Sequence, residues 1–253
     1  MNLDEKIIVI SGGAGALGEV ICDRLAVRGA RVVVLDIISQ SEAETRFAKA
    51  SSKPHYFECD VSDETDTGKT LAEIVQQVGM PDVVCCHAGV VHVEKVQDYT
   101  LEQFDALMNV NVRGSFVLAR AAANLWLDAG HKGAQLIFTS SWVHDVPWPE
   151  ITPYTASKAA MNALTRGFAR ELAASGIRAN AVAPGIVGAG MALKTWNENA
   201  DYRARAEKAI PLGFLQPPES VADAIVFLCS DMSSYMTGSV LTVDGGCSLY
   251  PNI

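Results

Sequence analysis

The sequence KIIVISGGAGALG, residues 6–18, decides the fold. Residues 6–11 form a short, apolar and β-branched run that ends at glycine, which predicts a buried strand. Helical periodicity follows over residues 15–28, and a second apolar run at residues 31–36 predicts the next strand. A strand, a helix and a strand in this order predict a right-handed crossover between parallel strands.

The same alternation continues along the chain. Short apolar runs predict further strands at residues 54–59, 82–86, 134–140, 177–183 and 239–243. Helical patterns occupy residues 39–50, 63–78, 100–129 and 219–230, and a long helix begins near Tyr154. No linker, repeat or low-complexity segment interrupts the pattern. The sequence therefore predicts one α/β domain over residues 1–253, doubly wound, with a mainly parallel sheet flanked by helices on both faces.

Composition narrows the class of protein. Hydrophobic residues make up 49% of the 253 residues and charged residues 19%, enough for a large core. The net charge of −9, without a basic cluster, argues against a nucleic-acid partner. The six cysteines include no CxxC pair, which predicts reduced, buried thiols. Neither a signal peptide nor an apolar run of membrane-spanning length is visible, so we expect a cytoplasmic protein with no membrane partner.

The glycine-rich turn after the first strand is a candidate phosphate site. Such a turn lets the backbone approach a pyrophosphate at a helix N-terminus, although a plain tight turn is the alternative. Asp36 ends the second strand, where a carboxylate can accept both ribose hydroxyls of NAD and repel the 2′-phosphate of NADP. Its alternative role is to cap the next helix. The sequence thus predicts NAD over NADP, with candidate contacts at Gly12, Ala14, Gly15, Ala16, Leu17, Gly18, Asp36 and Ile37.

The ends of the third and fourth strands offer further contacts. Asp60, followed by Val61, could accept from an adenine amino group or cap the following helix. His87-Ala88-Gly89 follows the fourth strand, at the edge where open sheets bind ligands. Cys85, Cys86 and His87 are adjacent, but successive strand residues face opposite ways, so we expect no metal site.

Tyr154 and Lys158 supply a candidate catalytic pair. They are four residues apart at the start of a predicted helix, after Pro153, and therefore share a face. A nearby ammonium lowers the pKa of a phenol, which brings it toward proton exchange at neutral pH. The intervening turn can bring the Ser141 hydroxyl beside the phenol. An ordinary surface pair is the alternative, since this spacing is common by chance.

Taken in order, these residues resemble the short-chain dehydrogenase/reductase family over essentially the whole chain. The segment around Ser141 and the ending Asp244-Gly245-Gly246 resemble bacterial glucose 1-dehydrogenases. The resemblance implies a Rossmann-type fold, with Tyr154 as general acid/base and Ser141 orienting the substrate oxygen. It also implies that Lys158 lowers the pKa of the phenol and holds the nicotinamide ribose. Asn111 would hold a water beside Lys158, or it is a buried polar residue bonded to backbone.

The chain departs from the family pattern at Ala16, His87 and Ala189. These positions usually hold glycine, asparagine and threonine, so cofactor affinity and pose are affected. Pro184-Gly185 matches the family, and the backbone of Ile186 and Val187 is expected to hold the nicotinamide carboxamide.

The substrate is expected to be a sugar or polyol. Residues 188–213 lack strong periodicity, which favours a mobile lid. Polar groups mixed with tryptophan suit a sugar by analogy, and tetramers are common in the family, so Tyr250 could reach a neighbouring subunit of a homotetramer. The alternatives are a keto or 3-oxoacyl reductase, which usually uses NADPH, and an NAD-binding sensor without chemistry. Candidate substrate contacts are Val91, His92, Trp142, His144, Trp148, Met191, Trp196 and Tyr250.

Overall fold

The computed structural model describes residues 1–249, and within them the chain forms a parallel sheet of seven strands. The strand order is β3-β2-β1-β4-β5-β6-β7, with register pairs such as Val9 opposite both Val33 and Val84. The strands are β1 Ile7–Ser11, β2 Arg31–Asp36, β3 His55–Glu58, β4 Val83–Cys86, β5 Gln135–Thr139, β6 Arg178–Pro184 and β7 Val240–Val243.

Helices connect successive strands and cover both faces of the sheet. The helices of the described residues are α1 Ala16–Val27, α2 Gln40–Arg46, α3 Glu64–Gln77, α4 Leu101–Met108, α5 Ser115–Asp128, α6 Thr152–Leu172, α7 Gly190–Glu198, α8 Ala200–Ala209 and α9 Pro218–Cys229. The doubly wound α/β architecture predicted from the sequence is confirmed.

The core lies on the two faces of the sheet because side chains alternate along each strand. On β1, Val9 packs into the layer under α3, α5 and α6, which includes Trp126. Its neighbours Ile8 and Ile10 pack on the other face with α1 and α9, around Ile225. All five β1 residues are buried, which explains why the run has no polar alternation.

The cysteines follow the same alternation. Cys85 packs in the layer of α1 and α9, whereas Cys86 packs in the layer of α3 and α5. Adjacent thiols therefore face opposite sides of the sheet. All six cysteines, Cys22, Cys59, Cys85, Cys86, Cys229 and Cys247, are free and buried.

The predicted helix over residues 100–129 is interrupted. Asn109–Gly114 forms a π-helical turn between α4 and α5. Within this turn, the side-chain amide of Asn111 forms hydrogen bonds with the backbone N–H and carbonyl of Val90, which follows β4. An inserted turn of this kind commonly marks a functional site.

The segment 188–213 contains two helices, α7 and α8, although its sequence shows no strong periodicity. The hydrophobic periodicity of α8 is weak because its buried positions, Ala206 and Ala209, hold small alanine side chains. They pack beside Trp142 and Trp148 in a third apolar cluster. The expectation that this segment is a mobile lid stays a prediction.

No helix among residues 1–249 combines the length and hydropathy that crossing a membrane requires. Tyr250, a predicted substrate contact, lies outside the described residues.

Candidate active site

A cleft of about 800 Å³ opens at the carboxyl edge of the sheet. It lies where the chain turns away from β1 and β4, the neighbouring strands whose connections leave in opposite directions. Open α/β sheets bind ligands at this point. The glycine turn and Asp36 line one end of the cleft, and Ser141, Tyr154 and α8 line the other. The start of α7 lies against the glycine turn, since a Cβ on Gly190 would be 3.5 Å from the Cβ of Ala16.

The glycine turn packs directly against the end of β4. Gly12 has a φ of +70°, and a Cβ there would lie 2.8 Å from the Cα of Ala88. The Ser11 hydroxyl accepts from the backbone N–H groups of His87 and Ala88, at 3.0 and 3.1 Å. A side chain at residue 12 would force the two turns apart, so the close approach requires glycine.

The N-terminus of α1 faces this cleft. Gly15 is its N-cap, and no side chain accepts from the first turn. The backbone N–H groups of Ala16, Leu17 and Gly18 therefore have no acceptor within the helix, and all three residues line the cleft. The arrangement can receive the oxygens of a pyrophosphate.

Asp36 reaches the same end of the cleft from β2. Its two carboxylate oxygens accept from Ala14 N at 3.0 Å and from Ile37 N at 2.8 Å. The alternative role of capping α2 is excluded, since Ser39 is the N-cap and accepts from Glu42 N. The carboxylate is thus held beside the glycine turn, with Ile37 also lining the cleft.

Asp60 forms a local turn at the edge of the cleft. Its carboxylate accepts from Ser62 N at 2.9 Å. The side chain that caps α3 is Asp63, which accepts from Thr65 N and Asp66 N. Asp60 and Val61 both line the cleft, and the capping role considered for Asp60 belongs to Asp63.

His87 lines the centre of the cleft. Its Nδ1 pairs with the Thr139 hydroxyl at 3.0 Å. Burial, together with the nearby Lys158 ammonium, lowers the pKa of the imidazole to about 4. His87 is therefore neutral at physiological pH.

Ser141, Tyr154 and Lys158 lie close together in the structure. Ser141 follows β5, and its hydroxyl lies close enough to the phenol of Tyr154 to lower the phenol's pKa. Lys158 lies one turn along α6, with its Nζ 5.3 Å from the centre of the Tyr154 ring. The same ammonium donates to the Thr139 carbonyl at 2.8 Å. A Cβ on Gly89 would lie 3.5 Å from it, so the ammonium also faces the turn after β4.

The pKa of Tyr154 is raised, whereas the sequence predicts that the neighbouring Lys158 ammonium lowers it. Burial raises the pKa of Tyr154 to about 12, and the hydrogen bond from Ser141 opposes that rise. Burial also lowers the pKa of Lys158 to about 8. The expected lowering of the phenol's pKa by the ammonium is not observed, because both charged forms lose hydration in the same buried place.

Asn111 is a structural anchor in this neighbourhood. Its Oδ1 accepts from Val90 N at 2.8 Å, and its Nδ2 donates to Val90 O and to the Ser157 hydroxyl. Ser157 in turn donates to the backbone carbonyl of Tyr154. The amide thus ties the turn after β4 to the first turn of α6.

The other predicted residues divide into two groups. His92 pairs with Gln103, His144 folds back onto the Ser141 carbonyl, and Trp196 packs in the third apolar cluster, so none of these three lines the cleft. Ala14 and Pro184 are buried behind it. Those in its lining are Gly12, Gly15, Ala16, Leu17, Gly18, Asp36, Ile37, Asp60, Val61, His87, Ala88, Gly89, Val91, Ser141, Trp142, Trp148, Tyr154, Gly185, Ile186, Val187 and Met191.

Sequence reasoning missed several residues that lie in the cleft lining or beside it. Thr139 connects His87 to Lys158, and only the pairing of β4 with β5 brings them together. Tyr202 and Arg205 reach the cleft from α8, and Glu150 reaches it from the loop before α6. The left-handed backbone of Glu150, φ +69°, has no signal in the sequence.

Comparison with known proteins agrees with this geometry. The family model described as Enoyl-(Acyl carrier protein) reductase matches residues 12–248. Short-chain dehydrogenase reductase 5 of Arabidopsis thaliana is 35% identical over 98% of this chain and 96% of its own length. Glucose 1-dehydrogenase of Gluconobacter oxydans strain 621H is 34% identical over 97% of this chain and 92% of its own.

Solved structures match over almost the same length. Gluconate 5-dehydrogenase from Burkholderia cenocepacia, in complex with NADP and tartrate, gives a TM-score of 0.91 at 28% identity, covering 98% of this chain and 97% of that one. 3-Ketoacyl-(acyl-carrier-protein) reductase from Brucella melitensis, complexed with NADH, gives 0.88 at 30% identity, covering 98% and 100%.

Proposed function

The chain belongs to the short-chain dehydrogenase/reductase family, and we propose that it is an NAD-dependent dehydrogenase of a sugar or polyol. Membership of the family makes it an oxidoreductase that uses a nicotinamide cofactor. The main support for the proposed chemistry is that Ser141 and Tyr154 line one cleft with the glycine turn, while the ammonium of Lys158 lies beside the cleft, 5.3 Å from the centre of the Tyr154 ring.

Tyr154 acts as the general acid/base. When a substrate hydroxyl is oxidised, the phenol oxygen accepts its proton; in the reverse direction the phenol gives the proton back to the carbonyl oxygen. A phenol with a pKa of about 12 is protonated at neutral pH. Proton donation, and hence carbonyl reduction, is favoured there, while oxidation becomes faster as the pH rises.

Ser141 and Lys158 support that proton transfer. The Ser141 hydroxyl lies beside the phenol and would bond the same substrate oxygen, which would stabilise charge that develops on it. The buried Lys158 ammonium favours the phenolate electrostatically and faces Gly89, where it could bond the nicotinamide ribose. The Asn111 amide keeps this turn in place and could hold a water beside Lys158.

The residues fit a nicotinamide dinucleotide. The uncapped first turn of α1 would hold the pyrophosphate, and the carboxylate of Asp36 the adenosine ribose hydroxyls. Asp60, Val61 and the backbone of Ile186 and Val187 would hold the adenine and the carboxamide. When bound, the cofactor supplies the hydride acceptor.

NAD is the proposed cofactor, because Asp36 places a negative charge where NADP carries its 2′-phosphate. No lysine or arginine among residues 1–249 lines that end of the cleft to neutralise such a phosphate. Similar proteins include complexes with either dinucleotide, so the carboxylate is the basis for the preference.

The substrate proposal rests on the mixed character of the other end of the cleft. Trp142 and Trp148 stack edge to face, at 5.5 Å between ring centres, beside the polar side chains of α8. Aromatic faces next to hydrogen-bonding groups suit the C–H and O–H surfaces of a sugar. The similarity to a glucose dehydrogenase and a gluconate dehydrogenase supports the same class. We propose a homotetramer on the family resemblance alone.

Tyr154→Phe tests the chemistry. The variant should lose turnover by roughly 10²- to 10⁴-fold, the usual contribution of a general acid/base, while it still binds NADH. The assay is NADH formation at alkaline pH with aldoses, sugar acids, polyols and simple secondary alcohols, together with NADH binding by fluorescence.

Tyr99→Phe is the matched control. The Tyr99 hydroxyl is buried without a hydrogen-bond partner in the described residues and lies outside the cleft lining, so its removal should leave turnover within a few-fold. Retained activity in Tyr154→Phe would refute the acid/base role. Turnover of simple alcohols alone would refute the sugar assignment and leave the dehydrogenase assignment standing.

A 3-oxoacyl reductase is the second candidate, favoured by the similarity to the ketoacyl reductase from Brucella. Reduction of a 3-oxoacyl thioester with NADPH in preference to NADH would establish it. An NAD-binding sensor would bind NADH and turn over nothing in either panel.

A further inference from the structure

The substrate end of the cleft holds one strong cation, Arg205. Among residues 1–249 it is the only lysine or arginine in the cleft lining. Its guanidinium carbon lies 5.9 Å from the centre of the Trp148 ring, which also stacks on Trp142, the neighbour of Ser141. The positive charge of Arg205 therefore lies on the side of the cleft that is lined by Trp148 and Trp142, next to Ser141.

The guanidinium of Arg205 is not satisfied by the protein. Within the described residues it donates no hydrogen bond, and its nearest carboxylate oxygen, on Glu150, lies 3.8 Å away. Both side chains are well exposed, at 44% and 37%, so an ion pair at this distance contributes little to stability. The five N–H donors of the fork remain available to a ligand.

Glu150 is held in an unusual backbone conformation. Its φ of +69° is a left-handed conformation that costs a glutamate energy, and its carbonyl is fixed by Glu94 N at 2.8 Å. Strain of this kind tends to persist at ligand-binding sites. Here it places an acidic side chain beside the guanidinium without completing a hydrogen bond to it.

We propose that Arg205 binds the carboxylate of a polyhydroxy acid, so that the substrate is a sugar acid and not a neutral aldose or polyol. This inference rests on the proposed function, and it assigns Arg205 the recognition of the end of the substrate away from the reacting hydroxyl. A planar guanidinium matches a carboxylate with two parallel hydrogen bonds. Glu150 weakens that binding by repulsion and excludes a second negative group.

Two variants on opposite sides of the pair test the inference. Arg205→Gln should weaken the binding of D-gluconate by about 10- to 100-fold, because a bidentate charged contact is lost. The same variant should change the affinity for D-glucose and for D-sorbitol by less than about threefold. Glu150→Gln should strengthen D-gluconate by a few-fold. If Arg205 and Glu150 form only a structural ion pair, both variants should change the affinity for all three compounds in the same direction. That result would overturn the proposal.

Lys208→Gln is the matched control for charge. Lys208 lies on the same helix, is exposed and is outside the cleft lining, so its loss removes one positive charge without touching the site. An equal weakening of D-gluconate by this variant would mean a general field effect and would overturn the assignment to Arg205.

Binding of the three compounds to the enzyme–NADH complex is measured by titration calorimetry, and kcat/KM is measured in parallel. The binding readout does not require turnover. If NADH is never formed from any of the three compounds but D-gluconate still binds through Arg205, the proposed dehydrogenase activity fails and the assignment of Arg205 to a carboxylate stands. If D-glucose is bound and oxidised as well as D-gluconate by the unaltered enzyme, the inference fails and the proposed function stands.

Discussion

Asp36→Asn tests the origin of the cofactor preference. The substitution keeps the size of the side chain and one acceptor oxygen for Ala14 N or Ile37 N, and it removes the negative charge. The local turn should therefore persist while the electrostatics of the ribose end of the cleft change.

The magnitude follows from two effects. For a half-exposed carboxylate we take an effective dielectric constant of about 40, so a unit charge about 6 Å away costs about 1.4 kcal/mol, or tenfold in affinity. A 2′-phosphate carries one to two charges, so NADPH should bind about 10- to 100-fold more tightly to the variant. NADH loses a charged acceptor, which weakens it by about tenfold. The NADH-to-NADPH affinity ratio should fall by about 10²- to 10³-fold.

The assay is the dissociation constant of each reduced cofactor, measured by fluorescence titration, so no substrate is required. Asp60→Asn is the control, because Asp60 also lines the cleft but is assigned to the adenine and should affect both cofactors equally. The reasoning is refuted if the unaltered protein binds the two cofactors equally, or if Asp36→Asn weakens both by the same factor.

Two further substitutions test the buried ammonium and the glycine turn. Since the pKa of Lys158 falls from 10.5 to about 8 on folding, the unfolded chain holds a proton between these pH values that the folded protein has lost. The unfolding free energy of the unaltered protein minus that of Lys158→Met should therefore increase by up to about 3 kcal/mol as the pH rises through this range, as measured by urea denaturation. A difference that does not change with pH would contradict the lowered pKa of Lys158. Gly18→Ala would place a Cβ 2.3 Å from the Gly12 carbonyl, so NADH should bind at least about tenfold more weakly. Gly68→Ala on α3 meets no atom within 4 Å, and it should instead raise the unfolding free energy by about 0.5–1 kcal/mol with unchanged NADH binding.

The sequence predicted part of the geometry of the candidate site, and the tertiary structure decided the rest. Ser141, Tyr154 and Lys158 meet because their sequence spacing and the turn after β5 are local properties. His92, His144 and Trp196 were chosen for residue type and proximity in sequence, and none of the three lines the cleft. Their orientation depends on Gln103, the Ser141 carbonyl and the third apolar cluster, which no local pattern reveals.

The sequence by itself determined the alternation of strands and helices, the parallel sheet and the position of the glycine turn. Hydrophobic periodicity and glycine act over a few residues, so these features can be predicted locally. Only the tertiary structure decided that α7 and α8 line the cleft, that Arg205 lies over Trp148, and that burial raises the pKa of Tyr154. Each of these depends on which distant residues exclude water from a group, and desolvation is a property of the assembled fold.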